Sequence, residues 1–457
     1  MSLSVVIWRK TKWSCAIAVL AVAGSLSLQA QTNWEFVSGS IEGGAPGVYT
    51  GASQHPAARE GAVSWTGADG TFWMFGGENT DNDYLNDFWK YDASIRKWEF
   101  VSGTDDYINE RGVYSGTTPH PGSRDYAVAW TDSAGDLWLF SGYGYAESGG
   151  LAYLNDLWKY DVSEGKWAFI SGTGDYKNED GNYDNSSGSA HPASRDSAAS
   201  WTDNAGDLWL FGGGQSAILN DLWKFDVSEM KWQLVSGTGD YWVEYGIYGG
   251  ATPHPGSRAN PLSWTDGAGD LWMFGGYGYA ESESAAHLND LWKFDVVELK
   301  WEFVSGTGDY RSEYGNYDNA GGTAYPGSRG SATTWTDGTS LWLLGGWGYA
   351  ETSQFGFESH LNDLWKYDIA EAKWLFVSGT GDYKNQHGIY DNSGGSAHPG
   401  SRRNAVSWVD NAGDLWLFSG YGYPADHAEY RYSDALNDLW RYRVPVVTSA
   451  TDWTLYE

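Results

Sequence analysis

"WTDNAGDLWLFGG" occupies residues 201–213, and close copies stand as "WTDSAGDLWLFSG" at 130–142, "WTDGAGDLWMFGG" at 264–276 and "WVDNAGDLWLFSG" at 408–420. Looser copies are "WTGADGTFWMFGG" at 65–77 and "WTDGTSLWLLGG" at 335–346. Each reads as a short strand, a turn of residues that hold tight backbone bends, and an apolar strand closed by glycine. Six copies of one hairpin make this a repeat protein, in which a unit buries its faces only by stacking on its neighbours.

Outward from the hairpin, every unit aligns on one arginine: Arg59, Arg124, Arg195, Arg258, Arg329 or Arg402. The small-residue run after it, "RDYAVAWTD" for example, predicts an innermost strand A. Strand B, "LWLFGG", is almost wholly apolar, which predicts burial on both faces. Its closing glycines suit a place where another backbone comes close. After a variable loop, "LNDLWKYD" at 154–161 and its copies alternate apolar with polar residues, the period of a half-exposed strand C.

Strand D, "W-x-F/L-V/I-S-G", begins at Trp98, Trp167, Trp232, Trp301 and Trp374. A sixth copy, "NWEFVSG", stands at 33–39, before the first arginine, and the sixth strand C at 436–444 has none after it. The expected fold is therefore all-β, a six-bladed propeller with four antiparallel strands per blade, its ring closed by the N-terminal strand 33–39. Arg443 fits this. It replaces the Asp that ends the other strands C (Asp92, Asp161, Asp226, Asp295, Asp368), where no turn need follow.

An arginine before strand A, a glycine pair after strand B, "LNDLW-x-Y-D" and a Trp opening strand D together resemble the kelch repeat over about residues 33–444. That resemblance implies a kelch-type β-propeller. It leaves function open, because kelch propellers serve as binding modules, scaffolds and a few enzymes. The arginines here are 63–73 residues apart, against about 50 for an ordinary kelch unit. Most of the excess lies between strand D and the next arginine. With strands alternating in direction, these D-to-A loops and the B-to-C loops emerge on one end, which becomes the expected binding face.

Residues 1–30 read as a signal peptide: Arg9, Lys10 and Lys12, an apolar run from Cys15 to Leu28, and a small-residue cleavage site at Ala30. The rival reading, a membrane anchor, needs a longer run of roughly 20 residues. The expected product is an exported protein, periplasmic, surface-bound or secreted, with a propeller over 31–444 and an unmatched tail over 445–457. Cys15 is the only cysteine, so the mature chain has no disulfide, and a long exported chain of that kind suits a bacterial envelope. The formal charge is −31, or −34 without the three leader cations, which argues against nucleic acid and anionic lipid as partners. A monomer without membrane insertion is expected.

A residue present once per unit is most simply scaffold. This covers twenty-four of the 29 tryptophans, the six arginines, and the histidines of "H-P-x-x-R" (His55, His120, His191, His254, His398). The acids Asp175, Asp240, Asp309 and Asp382 lack calcium-loop spacing and read as solvated turns. No metal site and no cofactor is expected. What breaks the repeat is more informative. The B-to-C loops carry Tyr143, Tyr145 and Glu147, then Tyr277, Tyr279 and Glu281, then Trp347, Tyr349 and Glu351, and finally Tyr421 and Tyr423. With the loop residue Trp242, these are the candidate ligand-binding residues. Aromatic faces beside carboxylates suit sugar rings or basic and aromatic side chains; the structural alternative is that they prop the loops against one another.

The favoured function is non-catalytic recognition of a protein or an extracellular glycan. The alternative is a carbohydrate-active enzyme, a lyase or one similar to the sialic-acid epimerases, using acid–base groups of the same face. Galactose oxidase resembles this fold, but its copper radical site needs a cysteine cross-linked to tyrosine, which the mature chain lacks.

Overall fold

The computed structural model describes residues 33–104, 109–174, 178–239, 243–281, 284–308, 313–351, 358–381, 385–425 and 432–445. Among them the regular structure is all β apart from three 3-10 turns. Each repeated hairpin grows into an antiparallel sheet with strands in the order A-B-C-D, to which the fifth unit adds the short strand Arg329–Gly330. In the third unit these are Ala199–Thr202, Leu208–Phe211, Leu222–Asp226 and Lys231–Ser236. Strand B is fully buried in every unit, as its unbroken apolar sequence requires. In the sixth unit strand D is Trp34–Ser38, antiparallel to Leu439–Tyr442 with Trp34 opposite Tyr442.

Neighbouring sheets share their cores. One cluster joins Phe72, Met74 and Trp89 of the first unit to Trp408, Trp416 and Phe418 of the sixth, with Phe72 stacked on Trp408 at 5.1 Å. The strand A indoles stitch the units together: Trp65 donates to Trp138 O, Trp130 to Trp209 O, Trp201 to Trp272 O, Trp264 to Trp342 O, Trp335 to Trp416 O and Trp408 to Trp73 O, at 2.9–3.1 Å. All twenty-four repeat tryptophans are buried. They are core, as expected.

The glycines after strand B meet the next unit's backbone. Gly77 N–H donates to Arg124 O at 2.9 Å, and a Cβ on Gly76 would lie 2.6 Å from the same oxygen. Strand A differs from the sequence reading. Arg124–Asp125 forms a separate short strand, cut from Val128–Thr131 by Tyr126 at φ 46°. A left-handed residue cannot continue a pleated strand, so the ladder must restart beyond it.

The D-to-A loops are ordered where described. Asp184 caps the 3-10 turn Asn185–Ser187, and the Asn185 side chain bonds both backbone groups of Leu234 at 2.9 Å. Asn319 and Asn392 do the same to Phe376 and Phe36. Each loop thus occupies polar groups on an outer strand that would otherwise invite pairing with another chain.

Candidate functional site

Six copies of one buried polar cluster sit at the long-loop end of the sheets. Each arginine is fully buried and grips the Asp of "LND" through two nitrogens: Arg59 with Asp87, Arg124 with Asp156, Arg195 with Asp221, Arg258 with Asp290, Arg329 with Asp363 and Arg402 with Asp438, at 2.6–2.8 Å. The same carboxylate accepts an indole N–H and a tyrosine hydroxyl, from Trp158 at 2.6 Å and Tyr114 at 2.5 Å in the second unit. Burial opposes the charge on Arg124, yet the Asp156 carboxylate holds its pKa above the ordinary value. These arginines are scaffold, and the "H-P-x-x-R" histidines belong with them. His120 turns Nδ1 to Pro121 O at 3.1 Å and bridges Val113 through its backbone.

One residue beyond each arginine the repeat stops repeating. There the chain pairs with the residue after strand B's closing dipeptide, and in all six units that residue pairs in turn with a third one nearer strand C. The six rows read Glu60–Glu78–Tyr84, Asp125–Tyr143–Tyr153, Asp196–Gly214–Ile218, Ala259–Tyr277–His287, Gly330–Trp347–His360 and Arg403–Tyr421–Ala435. They surround one end of a channel of about 510 Å³ lined by the six strands A. One residue further on, Gly61, Tyr126, Ser197, Asn260, Ser331 and Asn404 all have φ of 46–65°. Their backbones bond head to tail at 2.8–3.2 Å, from Tyr126 N–H to Gly61 O and onward to Gly61 N–H with Asn404 O. The rows therefore stand on a rigid rim.

Half of this mouth is acidic. Glu60, Glu78, Asp125 and Asp196 come from the first three units, and Asp125 is 2% exposed with Oδ1 unbonded among the described residues. Burial, then Glu78, Asp196 and Glu60, pushes the Asp125 carboxyl up to about 9. Burial raises Asp196 to about 6, and burial with Glu60 raises Glu78. Tyr126 and Asn404 donate to Glu60 at 3.1 and 2.7 Å.

The other half is aromatic and basic. Glu358 binds His287 Nδ1 at 2.7 Å and Trp347 Nε1 at 2.8 Å. That contact with His287 holds the Glu358 carboxyl below its ordinary range despite burial. Tyr277 packs edge-on to His287, and His360 lies between Trp347 and Tyr421. Burial, then the Arg403 charge, drives His360 down to about 3, so it is neutral, and its Nε2 is unbonded among the described residues. The Arg403 guanidinium lies over both Trp347 and Tyr421, at 5.6 and 5.3 Å from the ring centres.

The first aromatic of each B-to-C loop is thus at the mouth: Tyr143, Tyr277, Trp347 and Tyr421. The second serves more as a brace. Tyr145 packs on Tyr84, Tyr279 on Tyr245 and Tyr349 on Tyr314, while Tyr423 reaches both His360 and His387. Glu147 accepts the Tyr114 N–H at 3.4 Å, and the backbones of Glu281 and Glu351 are tied to Gly308 and Gly381. Trp242 lies outside the described residues, as do Asp175, Asp240, Asp309 and Asp382. Sequence reading passed over Glu60, Glu78, Asp125, Asp196, Glu358 and Arg403, although the position after each arginine changes from unit to unit in plain view.

Clefts of about 350–400 Å³ recur between neighbouring units, lined in turn by Glu110, His120, Lys166 and Trp167, by Glu179, His191, Lys231 and Trp232, and by Glu244, His254, Lys300 and Trp301. Their sameness marks them as seams between units. Among the described residues no three His, Cys, Asp or Glu side chains are placed to hold a metal ion, and no helix is long and apolar enough to cross a membrane.

A family model, the KLHDC2/KLHL20/DRC7 Kelch-repeats domain, matches residues 48–240 and again 183–387. The two matches are offset by 135 residues, close to the two-unit step from Arg59 to Arg195. Kelch domain-containing protein 3 of Bos taurus is 24% identical over 246 residues, 52% of this chain and 52% of that protein. The chain thus matches about half the length of this curated relative.

Proposed function

The chain belongs to the kelch-repeat family, and from that premise we propose that it is a six-bladed propeller, closed by its N-terminal strand, that binds a protein or an extracellular glycan at the channel mouth. The cyclic order of indole bonds and the pairing of Trp34–Ser38 with Leu439–Tyr442 support the ring. One observation carries the binding role: six rows share one backbone geometry and differ in chemistry, beside clusters that are the same in all six units. A scaffold alone gives no reason for that difference. On this reading residues 1–30 are removed on export, 445–457 form a tail, and the product works as a monomer.

A glycan array and a peptide array probed with wild type and with Trp347→Ala test the binding role. The expected outcome is a ligand that wild type retains and the variant loses at unchanged melting temperature. Binding that survives Trp347→Ala and equally survives changes in the acidic half sinks the assignment. Mass analysis of the secreted product, expected to begin at Gln31, tests the export reading.

His287 and Glu358 favour a second reading. A carboxylate-oriented imidazole, linked through Glu358 and Trp347 to the neutral His360, is an acid–base group of the kind a carbohydrate-active enzyme needs. Turnover of any glycan found on the array, lost in His287→Ala, would establish it.

A further inference from the structure

The acidic half of the mouth breaks a rule the rest of the molecule keeps. Six buried aspartates, from Asp87 to Asp438, are each met by a two-pronged arginine. Asp125 is as deeply buried as these, and no cation reaches it among the described residues. Glu60 and Glu78 oppose each other across a ladder, where like charges repel. A buried carboxyl with no cation opposite it is held in its neutral form, and a cation placed there would recover the charged one.

We propose that this half-ring receives one basic side chain, a lysine ammonium or arginine guanidinium, presented by a protein partner, with Asp125 at the floor and Glu60, Glu78 and Asp196 around it. The inference rests on the mouth being the binding face. A metal ion fits poorly, because these carboxylates do not converge to coordination distance among the described residues. An organic cation carries several donors on a wider frame and spans carboxylates set further apart. Tyr84, Tyr143 and Tyr153 pack together beside the acids and offer ring faces to such a group. Burial and the neighbouring acids raise the pKa of Tyr84, which keeps its hydroxyl protonated as a donor. Arg403, with Nε 3.6 Å from a Glu60 oxygen, bounds the acidic half on the side of the sixth unit.

The occupied site has a signature beyond affinity. Asp125, raised to about 9 by burial and by Glu78, Asp196 and Glu60, holds its proton in the free protein at pH 7, with Tyr84, Tyr126 and Arg403 as further titratable or charged groups about this half of the mouth. A bound cation favours the carboxylates, so a proton leaves as the ligand arrives.

Calorimetry of the purified protein at pH 7, in two buffers of different ionisation enthalpy, tests this. The probes are blocked pentapeptides with a central Arg, Lys or norleucine, and calcium chloride. The expected result is binding of the Arg and Lys peptides with proton release, and none of the norleucine peptide. Asp125→Asn should keep its melting temperature or gain, weaken binding about tenfold or more, and lose the proton release. Glu298→Gln, the same acid-to-amide exchange on an exposed turn at the opposite end, should bind as wild type. Equal binding of norleucine, unchanged affinity in Asp125→Asn, or calcium in place of the peptides overturns the proposal. If the basic peptides fail while an array ligand is still lost in Trp347→Ala, this inference alone falls; if nothing binds either half, both readings fall.

Discussion

Asp156 and Asp125 stand in the same repeat unit, both almost wholly buried, in opposite electrostatic surroundings. Asp156 meets Arg124, Trp158 and Tyr114. Asp125 meets three other acids and keeps one oxygen unbonded among the described residues. The contrast recurs between Arg402, locked on Asp438, and Arg403, lying over two aromatic rings. Adjacent residues in one strand thus serve different ends. Solutions repeated six times hold the sheets, and those that occur once gather at the mouth, the proposed binding face.

The largest break in this comparison should come from the repeated side. Arg402→Gln strands a buried carboxylate and should cost about 3–5 kcal/mol in urea denaturation, as should Asp156→Ala. A loss below 1 kcal/mol in both would deny the clusters their structural role.

Asp125→Asn should act in the opposite direction and stabilise by about 1–3 kcal/mol near pH 8. The sign follows from proton binding. Between about pH 4 and about 9 the folded carboxyl keeps a proton that the unfolded chain has lost, so stability falls as pH rises through that window. The variant should flatten the fall, and denaturation curves at pH 5, 7 and 9 would read it.

His360 gives the converse slope. Its folded pKa of about 3 lies below the ordinary value of 6.5, so its contribution is full above pH 6.5 and is lost as pH falls toward 3. His360→Phe should reduce acid sensitivity between pH 6.5 and 4 while leaving the slope above pH 7 intact. The smallest effect is expected from Arg403→Gln, about 0.5–1 kcal/mol, set against the several lost next door at Arg402. Equal losses at the two sites would erase the distinction between scaffold and mouth.

Much of this was legible in the sequence because the repeat wrote it six times. The hairpin, the buried strand B, the glycine approach and the N-terminal strand D all follow from patterns that a single unit would leave ambiguous. Tyr143, Tyr277, Trp347 and Tyr421 could be found because their loops visibly departed from the pattern. Asp125 and Arg403 were harder. Each follows a residue so regular that its neighbour looked like filler, and only the left-handed turn after it brings that neighbour to the mouth. The bracing by Glu147, Tyr279 and Tyr349 depends on contacts with the preceding D-to-A loop, which spacing along the chain does not encode.

The pairing of Trp34–Ser38 with Leu439–Tyr442 also sets a timetable. During synthesis the first of these strands emerges from the ribosome long before its partner, with Glu35 and Arg443 of their joining ion pair 408 residues apart. Loop-closure cost grows only logarithmically with length, so the finished protein bears little penalty for that distance. The delay is kinetic: five sheets can assemble on the nascent chain, but the sixth waits for its last strand. That seam completes last, and under a pull on both ends of the chain it would be the first to part.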